Sequence, residues 1–170
     1  NTATDLPVSP LSIAENVLHD FYRVFPHKRV FGLGGDHSCS YPLVMAWIKA
    51  RTNQKKKVGI VHFDAHTDLL DRRLGIDLCF GSWAYHILPE LASPACLTQI
   101  GIHSSQHDKA YWENKLGVKQ FWADEVNQDI QQVVTQLIEH FKQLEIDELY
   151  VSFDIDALDA SFVSATGTPE

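Results

Sequence analysis

Val58-Gly59-Ile60-Val61-His62-Phe63-Asp64-Ala65-His66-Thr67-Asp68 divides into an apolar half and a polar half. The first six residues are mostly β-branched or aromatic, as expected of a strand covered on both faces. The last five place Asp64, His66 and Asp68 at alternate positions. Alternate residues of extended chain share a face, so these three can point one way from the strand's carboxyl end. In an open parallel sheet that end is where ligand sites form.

The same pattern recurs on either side. Residues 30–33, 97–102, 149–153 and, more briefly, 118–122 read as further buried strands. Helical spacing separates them. Leu11, Ala14, Leu18, Phe21, Tyr22 and Phe25 form one stripe, with Ser9 before Pro10 as its cap. Residues 43–49 form a second helix, and residues 108–116 a third, closed by Gly117. Residues 129–144 carry the clearest stripe: Ile130, Val133, Val134, Leu137, Ile138, Phe141 and Leu144. Alternating strands and helices predict one α/β domain over residues 1–170, a three-layer α/β/α arrangement around a mainly parallel sheet. The chain opens without a strand before its first helix and stops at Thr168-Pro169-Glu170, so it reads as a fragment of a longer protein.

Composition narrows the partners. The 170 residues are 45% hydrophobic and 21% charged, with Lys+Arg 14 against Asp+Glu 22 and a net charge of −8. An acidic surface lacks the basic footprint that nucleic acids and anionic membranes need. Lys55, Lys56 and Lys57 read as a solvated turn. Cys39, Cys79 and Cys96 are odd in number and form no C-x-x-C pair, which points to a reducing, cytoplasmic compartment. No apolar run is long enough to span a bilayer, and residues 1–10 lack the charged and apolar blocks of a signal peptide.

Two more polar clusters follow predicted strands. Gly34-Gly35-Asp36-His37-Ser38 delivers His37, and Ser152-Phe153-Asp154-Ile155-Asp156 delivers Asp154 and Asp156, with Asp159 beyond. If the strands are neighbours, two imidazoles and four carboxylates converge. Any one cluster reads by default as a hydrogen-bonded loop, but the joint set does not. Four carboxylates in one buried volume repel and lose solvation unless cations neutralise them. Two divalent ions match the charge better than one. Oxygen-rich ligands with some nitrogen and no sulfur suit Mn²⁺, with Fe²⁺, Co²⁺, Ni²⁺ or Zn²⁺ also compatible, and argue against a structural zinc site. Such a pair would bridge a water and lower its pKa until it attacks as hydroxide near neutrality. Around this set, Asp36 is read as orienting a ligand and Asp159 as capping a turn. His62 is packed or hydrogen-bonded behind the ligands, and His103 and Ser104 line the pocket.

These motifs, with residues 165–169, resemble the ureohydrolase family of arginases, agmatinases and formiminoglutamases. The resemblance runs from about Val30 onward and corresponds to the central part of longer family members. It implies an arginase-like α/β/α fold and two Mn²⁺ per chain. It also implies hydrolysis of a C–N bond in a guanidino or formimino small molecule. By motif position, one ion takes His37, Asp64, Asp68 and Asp154, and the other takes Asp64, His66, Asp154 and Asp156. The resemblance also implies that Asp68 is the catalytic residue, accepting a hydrogen bond from the attacking hydroxide and orienting it. Homo-oligomers are common in the family, so a homo-oligomer is implied.

Departures from the pattern bear on substrate. Phe80 stands where the family has a proton-shuttling histidine, and His86, on the following segment, is the candidate substitute. Leu70 replaces the polar residue that holds arginine's α-amino acid end, and Ser104 an acidic one. The expected enzyme is therefore agmatinase-like rather than arginase-like. The alternatives are a single-zinc deacetylase on the related fold and a catalytically silent metal-binding homologue.

Overall fold

The computed structural model describes residues 9–168, so the expectations for residues 1–8 and for Pro169 and Glu170 lie outside the described residues. Four strands, β1 (Val58–Phe63), β2 (Leu97–Ile102), β3 (Lys119–Trp122) and β4 (Glu148–Phe153), form one sheet in the order β3-β2-β1-β4. Every pairing is parallel. Their carboxyl ends therefore lie along one edge, as the alternation of strands and helices predicts.

Among the described residues, six helices connect and cover them: α1 (Pro10–Val24), α2 (Ser40–Asn53), α3 (Trp83–Ile87), α4 (Lys109–Leu116), α5 (Ala123–Gln128) and α6 (Ile130–Gln143). The predicted cap of α1 operates: Ser9 accepts the N–H of Ser12. Asp108, expected as the first residue of α4, instead caps it by accepting the N–H of Tyr111. Gly117 ends α4 in the left-handed conformation at φ +77°. The sequence pattern did not separate α3 and α5 from their surroundings. Five and six residues are too short to show a helical period.

The two faces of the sheet bury different amounts of apolar surface. On one, α1, α2 and α3 pack Tyr22, Val44, Trp47, Ile48, Trp83 and Ile87 against Val58, Ile60 and Leu97. On the other, a smaller cluster joins Val133 and Phe141 of α6 to Val61, Ile100 and Phe121. Ile130, Val134 and Ile138 of the α6 stripe stay exposed, as do Leu149, Val151 and Phe153 of the edge strand β4.

Residues 30–33 are a correction. They are irregular, with Phe31 90% and Leu33 92% exposed. A strand needs a ladder partner for its N–H and C=O groups, and among the described residues none is paired with this segment. The lysine turn is as expected: Lys55 takes φ 59°, and Lys57 donates its backbone N–H to Asp147 at 2.8 Å.

Candidate metal centre

All three polar clusters arrive at the carboxyl edge of the sheet, but not all by extended chain. His37 sits on a 3₁₀ turn, His37–Cys39, that leads into α2. Asp36 caps this turn by accepting the N–H of Ser38 at 2.8 Å, so it positions His37 through the backbone. Asp64 follows β1 directly, and its carboxylate accepts the N–H of His66 at 2.6 Å, which bends the chain. Asp68 then adopts φ 52°. That conformation is uncommon for a residue with a Cβ, though Asp tolerates it. The three side chains of this loop thus converge through a bend and a left-handed residue, not through simple alternation. Asp154 caps the turn that carries Asp156, accepting its N–H at 3.1 Å.

Gly101 stitches the neighbouring loop onto this one. It takes φ +94°, and an added Cβ would stand 3.5 Å from the Asp64 carbonyl. The following residues, His103 and Ser104, donate both their N–H groups to the Ala65 carbonyl, at 3.0 and 2.9 Å.

The side chains meet as the electrostatic argument requires. His37 Nδ1 lies 2.9 Å from Asp64, 3.0 Å from Asp154 and 3.3 Å from Asp68. His66 Nδ1 lies 3.2 Å from Asp156 and 3.5 Å from Asp64. Candidate ligand atoms of Asp64, His66 and Asp156 fall within 4.8 Å of one another, and so do those of His37, His62, Asp64 and Asp68. Asp64 belongs to both groups, as a bridging carboxylate would.

The donor set fits divalent cations. His37 Nδ1 is buried and has no hydrogen-bond partner, despite the three carboxylates around it. Its other nitrogen, Nε2, is 2.8 Å from Ser152 Oγ, which is 3.1 Å from Ser40 Oγ. A buried imidazole nitrogen with no hydrogen bond, aimed at oxygens, is the geometry of a metal ligand oriented from behind. His62 does not share this property. Gln99 holds its Nδ1 at 2.9 Å and Asp64 its Nε2 at 2.8 Å, so both ring nitrogens are taken and it serves as a support.

Proton affinities report the same potential. Burial works against a charge on His37, but Asp154, Asp64 and Asp68 raise its pKa to about 10. Asp156 and Asp64 likewise raise His66 to about 10. Burial and the Asp64 charge push Asp68 well above the ordinary carboxyl range, against the indole N–H of Trp83 that donates to it at 2.7 Å. Burial tends to raise Asp64, but the imidazoles of His62, His37 and His66 hold it far below that range. His37 also lowers Asp154. Burial holds His62 below its usual value, keeping it neutral. Without metal, protons occupy the places that cations would take.

A cavity of about 1200 Å³ opens over the site, lined by Asp36, Leu70, Phe80, Ser104, Tyr111 and Trp112 among others. The guanidinium of Arg73 stacks 4.7 Å over the Phe80 ring. His86 is not in the wall. Its Nε2 contacts the carbonyls of Asp77 at 2.7 Å and Asp71 at 3.1 Å and pins that loop. His103 turns its Nδ1 to the Gly101 carbonyl, while Ser104 does line the cavity. Asp159 caps a turn through the N–H of Ser161. The sequence reading passed over His107, which lines the wall stacked 3.8 Å from the Tyr111 ring. Its place just beyond the carboxyl end of β2 was the available signal.

Parallel strands feeding a carboxylate and imidazole cluster at one edge define an α/β domain with candidate cation ligands at that edge. Comparison with known proteins narrows the class. The arginase family model matches residues 2–170. An agmatinase of Neisseria meningitidis serogroup C (strain 053442) is 36% identical over 144 residues, 84% of this chain and 42% of that protein. The guanidino acid hydrolase of Homo sapiens mitochondria is 35% identical over 141 residues, 81% of this chain and 38% of that protein. The structure of formimidoylglutamase from Bacillus subtilis subsp. subtilis str. 168 superposes with a TM-score of 0.76 at 24% identity, covering 100% of this chain and 52% of that one.

The chain belongs to the arginase family. It spans about two fifths of the length of the agmatinase and the guanidino acid hydrolase. Its fold is the arginase-like α/β fold expected from the sequence. Among the described residues no helix is long and apolar enough to cross a membrane, and all three cysteines are free.

Proposed function

We propose that the protein is a binuclear-metal hydrolase that cleaves a C–N bond of a small guanidino or formimino compound. The buried Nδ1 of His37, within 3.3 Å of three carboxylates, carries this reading. His37, Asp64, Asp68 and Asp154 would hold one ion, and Asp64, His66, Asp154 and Asp156 the other. Mn²⁺ suits these oxygen and imidazole donors. The free cysteines support a reducing, cytoplasmic setting, and we assign the chain to a homo-oligomer on the family resemblance.

When bound, the ions supply positive charge and a water acidic enough to lose its proton near neutral pH. The protein's part is placement. Asp68, fixed by the Trp83 indole N–H, accepts a hydrogen bond from the attacking water and aims it. The loops around Leu70, Phe80 and Ser104 line the substrate's approach. None of these three side chains carries a charge to hold an α-amino acid group, which supports an agmatinase-like substrate over arginine.

The test is a panel of agmatine, 4-guanidinobutyrate, arginine and formiminoglutamate. It is run on the full-length, manganese-loaded protein, with urea, formamide and ammonia scored separately. We expect turnover of a guanidino or formimino compound other than arginine, and two ions per chain. Unaltered turnover after exhaustive chelation would overturn the reading. One zinc per chain with deacetylation would replace it. Full occupancy with no turnover would overturn the hydrolase reading and mark a silent homologue, with Phe80 in the cavity wall as the residue to examine.

A further inference from the structure

A row of polar side chains crosses the sheet beneath the metal centre. Ser152 of β4 is paired with His62 of β1, His62 with Gln99 of β2, and Gln99 with Gln120 of β3. Gln99, Gln120 and His62 are completely buried. Burying amides and an imidazole in a sheet core costs free energy unless every polar atom is satisfied. Here the bonds form a chain. The indole N–H of Trp122 donates to Gln120 Oε1 at 2.9 Å, and Gln120 Nε2 donates to Gln99 Oε1 at 2.8 Å. Gln99 Nε2 uses both its hydrogens, one on the Thr67 carbonyl and one on His62 Nδ1. His62 Nε2 then reaches Asp64 Oδ2 at 2.8 Å.

The direction of this chain is not arbitrary. An indole N–H can only donate, and a backbone carbonyl can only accept. Trp122 therefore fixes one end and the Thr67 carbonyl the other. If the Gln99 amide were reversed, its oxygen would face the Thr67 carbonyl, and Gln120 would have no acceptor for its N–H. With Gln99 donating, His62 Nδ1 must accept, so the proton of the neutral ring resides on Nε2 and is donated to Asp64. The opposite tautomer would oppose lone pairs at Asp64 and N–H groups at Gln99.

We propose that Trp122, Gln120, Gln99 and His62 form a polarised relay that fixes the His62 tautomer and, through it, the orientation of Asp64, a carboxylate shared by both cation sites. Gln99 holds the ligand loop twice, through the His62 ring and through the Thr67 carbonyl between His66 and Asp68. These are positioning residues, none of them a metal ligand. The inference rests on the metal-binding reading of the site.

The tautomer is read first, in metal-free full-length protein, by long-range ¹H–¹⁵N NMR of the histidine rings, with His62 assigned from a His62→Asn variant. We expect the Nε2–H form of the neutral ring. Metal affinity is then measured by titrating Mn²⁺ into wild type and Gln99→Met, a change close in volume that removes both donors. We expect about a 10- to 100-fold loss of affinity, the range for supports behind metal ligands, and a ring no longer confined to one tautomer. Gln120→Met keeps both Gln99 donors and should lose less. An Nδ1–H ring in wild type overturns the relay without any variant. So does a Gln99→Met protein that melts earlier yet binds Mn²⁺ as tightly as wild type, because Gln99 would then be packing alone. A wild type that takes up no divalent ion removes the hydrolase reading and the relay's purpose together. Uptake with the wrong tautomer removes only the relay.

Discussion

Metal binding must expel protons, and the number can be worked from the site. His37 and His66 have pKa values near 10 in the metal-free protein, because carboxylates 2.9–3.5 Å away stabilise the charged rings. At pH 8 both are almost fully protonated. A coordinating imidazole must be neutral, so filling both sites releases about two protons. Asp68, raised by burial and by Asp64, adds to that count whatever fraction of its carboxyl is protonated. The overall binding constant for the ion pair should therefore rise about 100-fold per pH unit from near neutrality up to about pH 10, or ~2.7 kcal/mol per unit. The metal-free protein has the opposite slope. A raised folded pKa stabilises fully below the unfolded value of 6.5, and that stability is lost as pH climbs through about 10. Titration calorimetry of Mn²⁺ in buffers of differing ionisation enthalpy counts the protons, and melting of the chelated protein across pH reads the second slope. Release of less than one proton for two ions bound would refute the argument.

Four further outcomes are expected. Trp83→Phe removes the indole N–H donor to Asp68 in a fully buried place and should cost about 1–3 kcal/mol by urea unfolding. Gly101→Ala puts a Cβ on a residue at φ +94°, facing the Asp64 carbonyl, and should cost about 1–2 kcal/mol in the same assay. Asp156→Asn deletes a charge 3.2 Å from His66 and should reduce tightly held ions from two per chain to one by elemental analysis. Phe80→His restores a titratable group to the cavity wall and should raise turnover by about 100-fold if proton transfer limits the wild type. An unchanged rate would place the limiting step elsewhere.

Much of the architecture was legible because it is written in periodicity. The strands β1 and β2 are continuous apolar runs, α1 and α6 carry stripes of period 3.6, and α4 is marked by its closing Gly117; all form within a residue or two of expectation. Residues 30–33 carry the same apolar signal without forming a strand, because propensity cannot supply a ladder partner. The apolar stripe of α6 predicts one covered face, yet only Val133 and Phe141 are buried within the helix; the position of a neighbour, not the pattern, decides which side is covered.

The six candidate ligands were legible for a different reason: carboxylates gathered at strand ends demand a cation, and that demand is visible in residue type alone. Their supports were not. Gln99 and Gln120 sit in short strands beside Thr98 and Lys119, where a polar residue reads as an exposed face. Only the parallel register, which sets His62, Gln99 and Gln120 side by side, turns three scattered polar residues into one connected row. Sequence chemistry therefore identifies what holds a charge, while pairing register identifies what holds the holder. A second-layer residue is found by asking where its hydrogen bonds end, and here the chain of donors ends on Asp64.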